Sequence, residues 1–314
     1  TGVTLTQTAP AEHPVLRPHR LALGFYNEDK ATGRIVRTDR VELDVDGETT
    51  VVEGVAGKER PAVLLVNDDD LTYTKIRFDE ESLAFAEHNL QRFDDALARA
   101  VIWLAFWDMT RDGEFPAERF VAMTLRLLAS ETESTTFRYA LACMSTAAHH
   151  YVAPASRDAV LRQVADELWS LANNAEAGSD NQFQLVTAYL GYGKEGDDAK
   201  GLLDGSIALE GLEIDNNMRW TIISALSEVN AIDQAYIDAE LAKRETTENR
   251  EFALGARATA GTAEAKAWAW DQALHNADLT NMQLESIAGG FAGTPRADLA
   301  DPYAERYFEV ADWI

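Results

Sequence analysis

Short apolar runs separated by turn residues occupy the first eighty positions of the chain. The runs lie at positions 3–5, 21–25, 35–36, 41–45, 51–52 and 63–66. A seventh segment, 73–78, alternates between two sides, with Thr74, Ile76 and Phe78 on one of them. Alternation with a period of two residues is typical of β-strands. The pattern therefore predicts about seven strands, which suit a small sandwich or barrel.

One turn in this region has a strong local signal. Asp46-Gly47 separates the run at 41–45 from the segment at 49–52. A type I′ turn needs positive φ at both central residues, and Asp-Gly is among the pairs that meet this requirement. We therefore expect these two segments to form a β-hairpin.

Beyond Asp79 the spacing of apolar residues becomes helical and stays so to the end of the chain. The helix predicted at 96–109 is apolar on most sides and should be buried, whereas the one at 157–171 has a single apolar stripe and should be peripheral. About a dozen helices of ordinary length follow one another with short connections. Three starts fit the capping box, at Ser130…Glu133, Ser179…Gln182 and Thr280…Gln283.

Antiparallel helices joined by short loops indicate paired layers, as in helical repeats. We predict a multidomain, mainly α protein. A small β-sandwich domain occupies residues 1–79, and a large α-helical superhelical domain of the HEAT/ARM-like type occupies residues 80–314.

Charge is distributed unevenly along the chain, whose net charge is −25. Residues 1–78 contain 10 Lys and Arg against 13 Asp and Glu, and the remainder contains 18 against 40. A strongly acidic helical part argues against nucleic-acid binding, because phosphates need a cationic surface. Such charge attracts cationic ligands or serves solubility alone, and both interpretations stay open.

The cysteine content and the apolar runs indicate where in the cell the protein is found. The single cysteine, Cys143, excludes an internal disulfide and fits a reducing, cytoplasmic location, and its apolar neighbours predict a buried thiol. No apolar run is long enough to span a membrane, and the first residues do not resemble a signal peptide. Because the chain begins at Thr1 without an initiator Met, we expect it to be a piece of a longer protein.

Motifs that carry chemistry are missing or lack their structural context. The sequence has no HExxH zinc motif, no GxSxG elbow and no Walker loop. Glu42-x-Asp44-x-Asp46-Gly47 resembles a calcium loop, but its flanks are predicted strands rather than helices. The GxGxxG match at 191–196 follows a predicted helix, whereas a dinucleotide site requires a preceding strand. We therefore predict no catalytic residue, no metal ligand and no cofactor in this chain.

Seven tryptophans at helical spacing are expected mostly in the core. Arg219, beside Trp220, and Lys266, near Trp270, are candidates for lining a cavity.

The segment between the β and α parts carries a family resemblance. Residues 64–79 read LLVNDDDLTYTKIRFD. They resemble the pattern LLN-x-D-D-x-x-Y-x-K/R-I/V-x-x-D of M1-family zinc aminopeptidases of the aminopeptidase N type, with Val66 inserted before Asn67. The stretch 34–44 and the helix ending in WDMTRD at 107–112 look like the bacterial, actinobacterial-type branch. The resemblance covers the whole chain, and it marks a domain-junction motif of Asn67, Asp68, Asp69, Asp70, Tyr73, Lys75 and Asp79.

The resemblance implies a four-part parent enzyme that removes N-terminal amino acids from peptides. An N-terminal β domain and a thermolysin-like catalytic domain, with the zinc ligands and the GxMEN segment, would precede Thr1. This chain would be the sandwich and the helical domain that encloses the active site and positions peptides. The fragment alone is then expected to be inactive. Its expected partners are peptide substrates and its own N-terminal and catalytic domains, and the junction motif would attach the helices to the sandwich without performing chemistry.

A second hypothesis is a free-standing, non-catalytic helical-repeat module with a β cap that binds other proteins. A sequence upstream of Thr1 that contains HExxH would decide between the two.

Overall fold

The computed structural model describes residues 2–192, 197–293 and 297–311. Its contacts group the chain into two compact units, residues 1–160 and residues 161–314. A small sheet region comes first, and helices follow it to the end of the described chain, so the protein is mostly helical, as the sequence predicts. The domain boundary expected between residues 79 and 80 stays a prediction.

Five strands form the sheet region of the first unit. They are β1 (Val3–Thr6), β2 (His19–Glu28), β3 (Ile35–Val45), β4 (Thr49–Val52) and β5 (Val63–Val66). β1 pairs with β4 in a two-stranded antiparallel sheet, and β2 lies between β3 and β5 in a three-stranded antiparallel sheet. Leu23, Phe25 and Leu64 of the larger sheet form one buried cluster with Val52 and Val55. The two sheets therefore share one apolar core.

The predicted hairpin at Asp46-Gly47 is wrong. Gly47 has the positive φ expected of the turn, 75°, but β4 pairs with β1 and not with β3. The chain instead passes at this point from the larger sheet to the smaller one, and Val52 of β4 packs in the core that the two sheets share.

The count of seven strands is also wrong for the described residues. Positions 35–36 and 41–45 belong to one long strand, β3, and the alternating segment 73–78 is not a strand. Ile76 is buried and Phe78 is half-buried, but Thr74, which the pattern places on the same side, is exposed together with Tyr73 and Lys75. The predicted alternation is therefore seen only in part, and in the described chain the backbone has no partner strand.

Helices α1 (Glu80–Asn89), α2 (Ala96–Arg111), α3 (Ala117–Leu128) and α4 (Ser134–Thr146) complete the first unit, together with the start of α5 (Pro154–Asn174). Helix α2 is buried on most sides, as predicted, although Leu97 and Leu104 are 45% and 39% exposed. Ser130 does not cap α4, because its hydroxyl donates to the carbonyl of Leu127 and the helix begins after Glu133.

The described helices of the second unit, after the end of α5, are α6 (Asp180–Tyr189), α7 (Asp197–Asp204), α8 (Asn216–Glu228), α9 (Gln234–Lys243), α10 (Thr247–Thr259), α11 (Ala263–His275), α12 (Asn281–Ala292), α13 (Ala297–Ala300) and α14 (Ala304–Ala311). Helix α10 packs against both α8 and α12. Contact between every second helix is the arrangement expected of helical repeats.

Two capping signals of this unit lie at helix starts. Thr280 and Gln283 form the complete capping box at α12. Ser179 caps α6, but the Gln182 carboxamide oxygen accepts from the Gly178 N–H instead of closing the box. Helix α6 precedes the GxGxxG segment, as predicted, whereas residues 193–196 of that segment lie outside the described residues. In the described part of the chain, none of the helices combines the length and apolar character that crossing a bilayer requires.

Candidate functional site

The junction motif begins with a turn that follows β5 directly. Asn67, Asp69 and Asp70 all have positive φ, at 58°, 65° and 51°. The Asn67 carboxamide oxygen accepts the Thr72 N–H at 3.1 Å, and its nitrogen donates to the Thr72 carbonyl at 2.9 Å. Asn and Asp tolerate the left-handed region better than other residues with a side chain. The Asn-Asp-Asp-Asp sequence therefore supplies the residues that this turn needs.

The Asp68 carboxylate is buried beneath the turn and is only 1% exposed. It accepts the Tyr26 hydroxyl at 2.7 Å and an Arg37 N–H at 2.6 Å. Burial, with Asp68 beside it, raises the pKa of Tyr26 well above its usual value. A Cβ at Gly24 would lie 2.6 Å from a carboxylate oxygen of Asp68, so only glycine fits at that point of β2. The turn is thus joined to β2 and β3 by a buried carboxylate.

Asp69 extends this network toward the surface. Its two oxygens accept from Arg37 at 2.7 Å and from Arg40 at 2.8 Å. The bond from Arg37 is the main cause that holds the pKa of Asp69 below its usual range. Both arginines lie on β3, so the strand and the turn are held together by a chain of ion pairs.

The next part of the motif contacts the end of α2. Lys75 Nζ lies 2.7 Å from Asp112 Oδ1, and Arg77 binds Asp112 and Glu114 at 2.5 Å each. The bond from Lys75 is the main cause that lowers the pKa of Asp112. Tyr73 is fully exposed to solvent. The structure therefore brings together the two motifs that the sequence singled out, the junction motif and the WDMTRD end of α2.

Asp79 closes the motif as the N-cap of α1. Its carboxylate accepts the Ser82 N–H at 3.0 Å and the Ser82 hydroxyl at 2.6 Å, and it is paired with Arg60. Burial opposes ionisation, but these bonds hold the pKa of Asp79 below its usual range. The Ser82 hydroxyl oxygen in turn accepts the Leu64 N–H at 3.0 Å, which joins the start of α1 to β5.

The two candidates for cavity lining, Arg219 and Lys266, lie in the second unit. Arg219 donates to both oxygens of Glu240, at 2.6 and 2.9 Å, and these bonds are the main cause that lowers the pKa of Glu240 to about 2. The side chain of Lys266 is fully buried, and burial lowers its pKa to about 8. Its ammonium donates to the carbonyls of Ala258, Thr259 and Gly290. A role of Arg219 and Lys266 in lining a peptide cavity stays a prediction.

The donor groups of the described residues do not fit a zinc centre. Across residues 2–192, 197–293 and 297–311, no three side chains of His, Cys, Asp or Glu converge as metal ligands would. The carboxylate of Glu42, in the calcium-loop match, instead pairs with Arg20 of the neighbouring strand β2 and with Arg40 of its own strand. No step of zinc chemistry is therefore assigned to residues of this chain.

Sequence reasoning missed Gly24, Tyr26, Arg37 and Arg40 as members of the site. The available signal was the run of three aspartates next to an apolar strand, since buried or clustered carboxylates need nearby donors. Which donors these are depends on strand pairing, which the sequence pattern did not predict correctly.

Two comparisons relate the chain to known proteins. The model of the family described as the ERAP1-like C-terminal domain matches residues 63–313. Aminopeptidase N of Streptomyces lividans is 39% identical over 319 residues, which cover 99% of this chain. The chain spans 37% of the length of that relative.

Proposed function

Because the chain belongs to the ERAP1-like C-terminal domain family, we propose that it is the C-terminal part of an aminopeptidase of the aminopeptidase N type. The parent protein would remove N-terminal residues from peptides as a metallopeptidase. The observation that carries this proposal is the 39% identity to an aminopeptidase N over nearly the whole chain.

Within the parent, this chain encloses and positions peptide substrates rather than supplying reacting groups. Enclosure excludes water and holds a substrate in a reactive orientation, which are contributions that a non-catalytic part can make. Zinc would belong to a catalytic part outside this chain. The partners of the chain would then be peptide substrates and the N-terminal and catalytic domains of its own parent, in the cytoplasm.

The junction motif would fix the helices to the strands. The ion pairs of Lys75 and Arg77 with Asp112, and the cap that Asp79 forms on α1, support this role. A single exposed ion pair contributes little to stability, but here Lys75 and Arg77 share the acceptor Asp112, and Arg77 also binds Glu114.

The first experiment tests whether the catalytic part lies outside this chain. The chain is assayed on alanine and leucine p-nitroanilides, with and without a zinc chelator, and its metal content is measured. We expect no turnover and no stoichiometric zinc. Turnover by this chain alone that the chelator abolishes would contradict the proposal. Translation of the coding sequence upstream of Thr1 should reveal HExxH, and its absence would favour the protein-binding module.

The second experiment tests the junction in the longer protein that the first one identifies. The double variant Lys75→Ala, Arg77→Ala should lose peptidase activity while it keeps its zinc. Arg20→Ala removes two exposed ion pairs between β2 and β3, with Glu42 and Asp44, and is the matched control, with activity close to that of the parent. Equal activity in both variants would show that the junction does not position the helices.

A further inference from the structure

A cavity of about 470 Å³ lies in the first unit beside β1. Residues 2–8 and residues 74–79 line it without a gap in either segment. Side chains of an extended segment alternate between two sides, so consecutive residues line one cavity only where the backbone edge faces it. We call this cavity the edge slot, because two of its walls are backbone edges.

The edge of β1 that faces the slot has free backbone groups in the described chain. β1 pairs with β4 alone, and the Gln7 N–H donates to the Glu48 carbonyl at 2.9 Å. In an antiparallel pair the N–H and C=O of alternate residues point to opposite edges. Residues 3, 5 and 7 therefore point toward β4, and the backbone groups of Thr4 and Thr6 point to the other edge.

The second wall is formed by residues 74–79, a segment that the sequence pattern predicts as a strand but that is not one in the structure. Among the described residues, no backbone–backbone hydrogen bond joins positions 73–78 to another segment. The side chain of Ile76 is buried nonetheless, so the segment is held in place by its side chains. Its N–H groups have no backbone partner among the described residues, whereas the carbonyls of Lys75 and Ile76 accept side-chain bonds from Thr74 and Arg77 at 3.3 and 3.0 Å.

The floor of the slot belongs to the larger sheet and is apolar except at His19, the first residue of β2. Alternate residues of β2 and β5 reach it, namely His19, Leu21, Leu23, Leu64 and Val66, together with Val45 of β3. Leu23 and Val66 are partners in the ladder of these two strands. A strand placed in the slot would direct every second side chain onto this floor.

We propose that the edge slot binds an extended peptide from another molecule as an added β-strand. Its backbone bonds with Thr4 and Thr6 on one side and with residues 74–78 on the other, and its alternate side chains are apolar. Addition of a strand to an exposed sheet edge is a known mode of peptide recognition. The cavity has the size of a small-ligand site, and β1 has four residues, so the peptide contributes about four or five residues at ~3.3 Å each.

The added strand also completes the smaller sheet. β1 and β4 already pack on the larger sheet through the shared core, and a third strand would add a second ladder of hydrogen bonds to the smaller sheet. The inference rests on the strands of the first unit and does not depend on the proposed aminopeptidase.

The test uses the complete chain and a fluorescein-labelled peptide of sequence TVTLT, measured by fluorescence anisotropy. The control peptide TTVLT has the same composition, but its two apolar residues are adjacent and point to opposite sides. We expect TVTLT to bind at least tenfold more tightly than TTVLT. Equal binding of the two peptides, or no binding at 1 mM, would overturn the proposal.

Two pairs of variants locate the bound peptide. Thr4→Pro and Thr6→Pro each remove an N–H that faces the slot and leave the donors of the β1–β4 ladder in place. Thr4→Ala and Thr6→Ala lose the same exposed side chains but keep the N–H groups. Binding of TVTLT should fall at least tenfold in the proline variants and stay within twofold in the alanine variants. A similar effect of both kinds of substitution would contradict an edge-bound strand.

Hydrogen exchange of the unmodified chain gives a readout that does not depend on the folding of a variant. Without peptide, the amides of Thr4 and Thr6 should exchange faster than those of Val3 and Leu5, which face β4. With TVTLT present, exchange at Thr4 and Thr6 should slow at least tenfold. Protection of Thr4 and Thr6 before any peptide is added would show that residues 74–78 close the slot themselves.

Discussion

Removal of the buried ammonium of Lys266 should destabilise the second unit by an amount that grows with pH. The perturbation is Lys266→Met, which keeps an unbranched apolar side chain but cannot donate a hydrogen bond. The carbonyls of Ala258 and Thr259 lie in the last turn of α10, and that of Gly290 lies in α12, so the lysine satisfies groups of two helices at once. Each buried group left without a partner costs about 1–3 kcal/mol.

The cost at neutral pH is partly offset, because a buried charge is itself unfavourable. Burial lowers the pKa of Lys266 from 10.5 to about 8. We therefore expect a net loss of about 2 kcal/mol at pH 7, below the sum for three orphaned carbonyls. The closeness of the two helices limits repacking, since a Cβ on Gly290 would lie 2.5 Å from the Gly255 carbonyl oxygen.

The pH dependence follows from the lowered pKa. Between pH 8 and pH 10.5 the unfolded chain holds the proton of Lys266 and the folded chain does not, so the free energy of unfolding rises with pH. One proton corresponds to ~1.36 kcal/mol for each pH unit. The unmodified chain should gain about 2 kcal/mol over Lys266→Met between pH 8 and pH 9.5.

The assay is urea unfolding at pH 7 and pH 9.5, followed by tryptophan fluorescence. Trp268 and Trp270 lie on the same helix as Lys266 and report on this region. Lys200→Met, at an exposed position of α7, is the matched control and should change stability little at either pH. A stability difference between Lys266→Met and the unmodified chain that is equal at both pH values would refute the reasoning, as would a variant more stable than the unmodified chain.

Four further substitutions test the packing and the ion pairs. Gly24→Ala places a methyl group against the Asp68 carboxylate and should cost about 2–3 kcal/mol by thermal unfolding, whereas Gly289→Ala, which meets open space, should be neutral or stabilising by up to ~1 kcal/mol. Asp112→Asn removes the shared partner of two cations and should cost about 1 kcal/mol in urea, less at high salt. Glu240→Gln should remove up to about 3 kcal/mol of stability that is present above pH 4.5 and lost as the pH falls through about 2. If the steep loss of stability in acid persists in Glu240→Gln, that loss arises from other carboxylates.

The order of strands and helices could be predicted from the sequence, because it depends on local periodicity. The partner of each strand could not be predicted. A period of two residues shows which side chains of a segment share a face, but not which other segment pairs with it. Residues 73–78 show this limit, because Ile76 is buried as the pattern predicts, whereas no backbone–backbone hydrogen bond joins the segment to another strand among the described residues. Asp46-Gly47 shows it again, since Gly47 has the positive φ that the pair predicts but Asp46 does not, and the hairpin does not form.

The candidate site was predictable only in part for the same reason. Asp79 caps α1 through residues three positions away, and a local signal of this kind can be found in the sequence. The bond from Tyr26 to Asp68 joins residues 42 positions apart and depends on how β2 pairs with β5. Lys266 is buried because its ammonium meets carbonyls of two separate helices, α10 and α12. The spacing of residues along the chain does not reveal that these helix ends lie close together.

The junction also bears on the order in which the protein folds during synthesis. Its contacts span 42 positions between Tyr26 and Asp68 and 37 between Lys75 and Asp112, and none of these residues belongs to the second unit. Domains begin to fold while the chain is still being made. Every partner of the junction has been synthesised once Glu114 has been added. We therefore expect the strands and the first two helices to assemble on the ribosome before the helices of the second unit are translated.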